Sequence, residues 1–379
     1  MTRSAAASPQ AVERRARSCA YALERQWYAP APTLAATLLR PLAALFGAGA
    51  ALRRAAYRRR LLRATRVRVP VIVVGNIAVG GSGKTPLVIA LAEALRARGR
   101  RPGIVSRGYG RRTDGTRAVH AADDAHDVGD EPLLLAATGV PTWVGARRAA
   151  AAQALLEAHP DVDVVVTDDG LQHYALARDV EIAVIDASRA LGNGLQLPAG
   201  PLREPPSRLA TVDAVVWLKS AETMPAAASQ ARPSMRLHAR EFSMTHEAGA
   251  WVNLRDPALR LAAEVLQDPR SVAIAGIAHP ERFFGSLRDR GFRGCACAFP
   301  DHYAYTPGDV AFEDAPAILM TAKDAVKCAS FADARMWKLP IRARVDPALV
   351  DLILEKIDGS QAPRNARVPG DEGSADLRP

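Results

Sequence analysis

Residues 78–85 read AVGGSGKT, a set of residue types suited to holding a polyphosphate. Glycines let the backbone approach closely with its N–H groups turned inward. A lysine sets a point charge on β- and γ-oxygens, and a threonine hydroxyl can ligate Mg2+. The expected cradle therefore comprises Ala78, Val79, Gly80, Gly81, Ser82, Gly83, Lys84 and Thr85. The usual pattern, G-x-x-x-x-G-K-[ST], has glycine where this chain has Ala78; alanine is tolerable if that position keeps a negative φ. Further on, DVDVVVTDDG (161–170) ends an apolar run in paired carboxylates. Asp168 and Asp169 are Mg2+ candidates there, since a strand tip beside such a cradle is where a metal or its water shell is held. Asp-Asp-Gly is also a capping pattern for a helix or turn.

Transfer of a phosphoryl group needs, in addition, an acceptor hydroxyl held in line and a base within reach of its proton. Asp130, in GDEP, opens an expected helix, where a carboxylate is either held at defined geometry or serves as a cap. His302, in PDHY, could hydrogen-bond that carboxylate and orient it across a cleft between domains, although an isolated histidine is more often structural. Glu204, in REP, is either a third acidic group near the metal or part of a surface loop. His120, His126, Asp123 and Asp124 share a polar loop and carry no assigned role.

The elements that must position these groups are legible as punctuation. VPVIVVGN (69–76) reads as a buried strand stopping at glycine, and KTPLVIALAEALRARG (84–99) as a helix closing on basic residues and Gly99. Further strands are expected near 103–105, 141–144, 181–186 and 213–218, with a helix over 146–158. The alternation implies an α/β fold, a P-loop NTPase-type parallel sheet with helices on both faces. From about residue 226 the character changes. SVAIAGIAHPERFFGSLRDRG and PAILMTAKDAVK each read strand, turn, helix, which implies a second, smaller α/β domain carrying His302. The expected organisation is an N-terminal membrane-associated helical segment over 1–68, the nucleotide domain over 69–225, the smaller domain over 226–358, and a disordered tail over 359–379 that lacks apolar periodicity.

At 379 residues the chain has ordinary globular composition. Four cysteines are too few for a disulfide scaffold, and no Cys/His cluster completes a zinc site. The charge is uneven: residues 1–70 hold 14 arginines, no lysine and two glutamates, a net +12 against +10 for the whole chain. Within them, APTLAATLLRPLAALFGAGAAL is almost free of charge and nearly long enough to span a bilayer. Arg40 sits in its middle and Pro41 invites a kink. RRAAYRRRLLRATRVR follows with eight arginines. An apolar helix beside an arginine-rich one suits the headgroup region of an anionic membrane surface, lying on it rather than crossing it. A domain-capping helix with a solvated basic face is the plainer alternative. Nucleic acid is not expected as a partner, because no recognition motif accompanies the charge. No obligate protein partner is expected either.

Taken in order, the blocks AVGGSGKT, SRGYGRR (106–112), GDEP (129–132), DDGLQH (168–173), LPAGPLREP (197–205), FPDHYAYT (299–306) and TAKDAVK (321–327) closely resemble those of the tetraacyldisaccharide 4′-kinase family, the lipid A kinases. The resemblance covers roughly residues 20–355, departing at Leu171, where an aromatic is common, and after about Gly359. It implies an ATP- and Mg2+-dependent kinase acting on the 4′-hydroxyl of an acylated glucosamine disaccharide lipid. The setting it implies is lipopolysaccharide biosynthesis, peripheral or monotopic at the cytoplasmic face of a Gram-negative inner membrane. The family's base and its histidine fall on Asp130 and His302. The rival reading is a regulatory or metal-delivery P-loop NTPase without a lipid acceptor. Its guanine-specific members carry [NT]-K-x-D, a spacing that TAKD fails because Lys323 adjoins Asp324.

Overall fold

The computed structural model describes residues 26–29, 33–219 and 239–361. Its larger lobe is a nine-stranded sheet ordered β14-β8-β7-β6-β1-β5-β2-β4-β3. The strands are β1 (Val71–Gly75), β2 (Pro102–Ser106), β3 (Thr116–Val119), β4 (Thr142–Gly145), β5 (Val164–Thr167), β6 (Val180–Asp186), β7 (Ala214–Lys219), β8 (Arg240–Ala248) and β14 (Ile341–Val345). The stretch from β8 to β4 is parallel, and the antiparallel strands β14 and β3 form its two edges.

All five residues of β1 are buried, as expected of a β-branched run covered on both faces. Alternation divides them between two cores. Ile72 and Val74 pack with Leu87, Val88 and Leu91 of the helix Lys84–Ala97 and with Leu349 and Ile353 of the helix Pro347–Gln361. Val71 and Val73 pack with Ala151, Ala152 and Leu155 of the helix Arg148–Ala158. Helices cover both faces, and β1 sits at the middle of the strand order, where the crossovers reverse and ligand crevices form.

A five-stranded sheet makes the smaller lobe, ordered β11-β10-β12-β13-β9. Its strands are β9 (Val252–Asn253), β10 (Val272–Ala275), β11 (Cys295–Ala298), β12 (Ile318–Thr321) and β13 (Met336–Leu339). On β11 the two cysteines alternate, with Cys295 exposed and Cys297 buried.

Two expected boundaries shift. The small sheet occupies only residues 252–339, because β8 before it and β14 after it return to the large sheet. A division at residue 226 misses this, since β8 and β14 pair with each other and their partners lie about a hundred residues apart in sequence. The expected disordered tail from 359 also begins too early: the final helix runs to Gln361, with Ile353 and Ile357 buried against the sheet. Residues 362–379 lie outside the described residues, as do 1–25.

At the N-terminus the apolar segment is broken. Leu34–Leu38 and Arg40–Arg58 are separate helices meeting at Leu39, with Pro41 in the first turn of the second. No helix among the described residues is long and apolar enough to cross a membrane.

Candidate active site

The cradle is built by the turn from β1 into the helix Lys84–Ala97. Gly83 precedes that helix at φ +82, and no side chain caps it, so its first N–H groups are open to an anion. Among the described residues the amides of Gly80 through Lys84 donate to no backbone acceptor. Ala78 needs no left-handed backbone; within the loop, positive φ falls on Gly80 and Gly83 alone.

Ala78 and Val79 depart from their expected role. The Ala78 amide donates to Asn76 Oδ1 (2.9 Å) and that of Val79 to the Pro201 carbonyl (2.9 Å). The Val79 bond ties the loop to the 197–205 segment, where Leu202 pairs with Ala78 in an isolated bridge. The amides that remain for a phosphate therefore begin at Gly80.

At the tip of β5, Asp168 is buried, and its Oδ2 accepts from the Thr85 hydroxyl at 3.1 Å. Its Oδ1, like Ser82 Oγ, is buried without a hydrogen-bond partner. Such orphaned atoms mark a place built for something polar. Burial, with Glu131 nearby, pushes the Asp168 carboxyl up while Lys84 and the Thr85 hydroxyl oppose that rise. Asp169 adopts a left-handed φ of +49. Its carboxylate lies 3.7 Å from Lys84 Nζ and 3.0 Å from Arg203 Nη1. Against the cost of burial, those two cations hold it well below the usual carboxylate range.

Glu204 does not join them as a metal ligand. Gln172 donates to its Oε1 (3.0 Å), Tyr174 donates to its Oε2 (2.8 Å), and Arg208 Nε lies 3.2 Å from that oxygen. Both oxygens are engaged by protein donors, so Glu204 clamps the DDGLQH and LPAGPLREP segments together. A second arginine beside it, Arg54 at 3.7 Å, belongs to the helix Arg40–Arg58, so the same clamp reaches the N-terminal helices.

The second half of the site is formed between the lobes. Asp130 is the first residue of a helix, not its cap; the cap is Gly129 at φ +95. A Cβ on Gly129 would stand 3.1 Å from Gly108 Cα, so glycine lets the SRGYG loop lie against this helix start. Asp130 is buried, yet it meets His302 of the small lobe, 172 residues on, with Nδ1 at 3.0 Å from Oδ1 and 2.9 Å from Oδ2. His302 itself has φ +58, a backbone conformation that costs energy outside glycine and gathers at functional sites. Phe299, Tyr303 and Tyr305, with ring centroids 4.8–5.2 Å apart, anchor its loop. Burial raises the Asp130 carboxyl, but the His302 hydrogen bond and the Lys323 charge win and bring it down to about 2. His302 rises above its ordinary value: burial opposes this and the Asp130 hydrogen bond overcomes it.

Sequence reasoning passed over Lys323, whose Nζ lies 3.2 Å from His302 Nε2. The only signal was its place in the TAKDAVK block. Its neighbour Asp324 is fully buried, with Oδ2 accepting from Thr321 Oγ1 (2.7 Å) and Oδ1 from the Gly276 amide (3.1 Å). That aspartate braces the small lobe and reads no base. Also unforeseen is a basic group on the large lobe. Arg148 is buried, with its guanidinium brought down to about 10 by burial first. His173 falls to about 4 through burial and the nearby Arg148 and Arg107. Of the residues expected to hold Mg2+, Thr85 and Asp168 meet through Oδ2, which leaves the other carboxylate oxygen, Oδ1, without a hydrogen-bond partner. No group of three or more His, Cys, Asp or Glu forms a metal cage among the described residues.

Comparison with known proteins agrees with this geometry. The family described as Tetraacyldisaccharide-1-P 4'-kinase matches residues 35–358. A protein of Dechloromonas aromatica named Tetraacyldisaccharide 4'-kinase is 50% identical over 342 residues, 89% of this chain and 98% of that protein. One of the same name from Azoarcus sp. (strain BH72) is 49% identical over 329 residues, 86% and 94% of the two chains. The crystal structure of "apo" form LpxK from Aquifex aeolicus in complex with ATP superposes with a TM-score of 0.69 at 28% identity, covering 86% of this chain and all of that one. With a cradle, a carboxylate–imidazole pair and this likeness over most of its length, the chain belongs to the tetraacyldisaccharide-1-phosphate 4′-kinase family.

Proposed function

We propose that this protein transfers the γ-phosphoryl group of ATP to the 4′-hydroxyl of a tetraacyldisaccharide 1-phosphate. The observation that carries this reading is the Asp130–His302 pair, assembled from two lobes beside an open phosphate cradle. A nucleotide switch needs the cradle; only transfer to an acceptor hydroxyl also needs a base. The Gly80–Thr85 loop holds the β- and γ-phosphates, and Lys84 neutralises charge on the bridging oxygen as it leaves. Asp130 accepts the acceptor's proton through Oδ2, since Oδ1 already accepts from the Glu131 amide at 2.8 Å. Thr85 and Asp168 would hold Mg2+, which would supply positive charge to the phosphate oxygens, while Asp169 faces Lys84. Arg148, Arg107 and Arg203 supply the positive field that an acceptor bearing its own phosphate requires.

The acceptor is a lipid, and the N-terminal helices suit an anionic membrane surface. Leu34, Leu38, Leu45 and Leu52 are each more than 70% exposed, and the arginines of 53–68 follow them. Such helices lie in the headgroup region rather than cross it. This supports a peripheral or monotopic position at the cytoplasmic face of a Gram-negative inner membrane. With γ-labelled ATP and the tetraacyldisaccharide acceptor in detergent, label should move to the lipid. Acceptor-independent release of free phosphate as the dominant product would overturn the reading in favour of an NTPase.

A further inference from the structure

Lys323 is the second residue of the helix Ala322–Cys328 in the small lobe, and its side chain reaches the carboxylate–imidazole pair. The ammonium has three N–H donors and meets three acceptors: His302 Nε2 at 3.2 Å, Asp301 Oδ1 at 3.2 Å and Glu131 Oε1 at 3.4 Å. Asp130 Oδ2 is 3.9 Å away. An ammonium can only donate, so a contact with Nε2 requires that nitrogen to present its lone pair. The ring proton then sits on Nδ1, where it points at Asp130. An imidazolium would instead turn an N–H toward the ammonium and set two cations against each other.

We propose that Lys323 is a positioning residue that keeps His302 neutral in its Nδ1–H form, and thereby keeps Asp130 the proton acceptor of the pair. This rests on the transfer reading above. In the step it serves, the acceptor's O–H bond breaks and its proton goes to Asp130 Oδ2. The oxygen bonds to the γ-phosphorus, and the bond from that phosphorus to the β-bridging oxygen breaks, its electron pair leaving with ADP. His302 donates to Asp130 throughout and takes no proton. The charged and titratable groups facing His302 are Asp130 and Glu131 from the helix Asp130–Ala136, Asp301 beside it and Lys323 from the helix Ala322–Cys328. Lys327 bears on Asp130 from that same helix, and the Tyr109 ring lies 5.0 Å from the imidazole. Asp130 and Asp301 favour the imidazolium; burial opposes them, and Lys323 is the charged group that opposes them with it.

The test is the pH profile of turnover with ATP and detergent-dispersed lipid acceptor. Lys323→Met should move the acid limb up by about one pH unit, costing roughly tenfold in kcat near neutrality and recovering at higher pH. The KM for ATP should change less than about twofold. Lys323→Arg, which keeps the charge, should restore the limb. In a His302→Gln background, Lys323→Met should move no limb at all. A pH-independent loss in Lys323→Met, or an unmoved limb, would overturn the proposal. Nitrogen-15 NMR of His302 in the unmodified protein, above the limb, provides a readout without turnover. A protonated Nδ1 with a bare Nε2 is expected, and the opposite tautomer would overturn it even if the variants failed to fold. Near-normal turnover in Asp130→Asn would instead sink the base reading itself. A wrong tautomer with Asp130 still essential would sink the role of Lys323 alone.

Discussion

Lys84 stands at the head of a helix that no side chain caps, with the Asp169 carboxylate 3.7 Å from its ammonium. Removing its charge leaves the developing negative charge on the β-bridging oxygen without a partner in a partly dry site. Lys84→Ala should therefore reduce transfer below about a thousandth of normal, measured with labelled ATP and lipid acceptor. Asp130→Asn should keep ATP binding and lose about 10²–10⁴ in turnover. His302→Ala should cost less, and the two losses should fall well short of additive because the residues share one hydrogen bond. Asp130 also ties stability to pH. Its carboxyl stands at about 2 in the folded protein against an ordinary 3.8. The associated stabilisation, on the order of 2 kcal/mol, is present above pH 3.8 and is lost as pH falls toward 2. Denaturant melts across that window should be less pH-dependent in Asp130→Asn than in the unmodified chain.

Among the elements, β1 and the segment after β5 are pressed together more closely than most strands permit. A Cβ on Gly75 would stand 2.7 Å from Leu171 Cγ and 2.9 Å from the Leu171 amide nitrogen. Leu171 is fully buried, so the side chain has nowhere to retreat and the backbone atom cannot yield cheaply. Gly75→Ala should destabilise the fold by about 1–3 kcal/mol, read as a lower denaturation midpoint with an unchanged slope. Activity should fall with it, because the shift displaces Asp168 and Asp169 relative to Lys84.

For the whole molecule, the separate placement of base and histidine in two lobes makes the site a property of their contact. Arg282 of the small lobe pairs with Asp186 at the end of β6 (2.6 Å), a second tie across the same cleft. The large lobe meanwhile carries the N-terminal helices through Arg54 and Glu204 and through the Tyr57–Tyr174 ring contact at 6.0 Å. If those helices lie on an anionic surface, binding to vesicles containing acidic lipid should weaken as salt rises without vanishing. Leu38→Glu with Leu45→Glu should weaken it further at all salt concentrations, since both side chains are 71% exposed and touch no core. Detergent-dispersed turnover should be spared relative to turnover on bilayers. Equal vesicle binding by the doubly substituted protein would return the segment to a purely domain-capping role.

What the sequence determined alone was everything local in origin. The β-branched run into glycine, the Lys84 helix and the Asp168–Asp169 strand tip are short-range patterns whose period and punctuation are visible without a partner. So is the break at Pro41. The family blocks carried Asp130 and His302, but no spacing rule joins residues 172 positions apart; only the docking of the two lobes brings Nδ1 to the carboxylate. Lys323 was invisible for the same reason, because the role of an ammonium follows from the three acceptors around it, and those come from two segments about 170 residues apart. Glu204 looked like a metal ligand because acidity can be read in a sequence and engagement cannot: Gln172, Tyr174 and Arg208 reach it only in the folded chain. The membership of β8 and β14 in the large sheet was likewise decided by tertiary structure, since hydrogen bonding between strands a hundred residues apart leaves no mark on either strand alone.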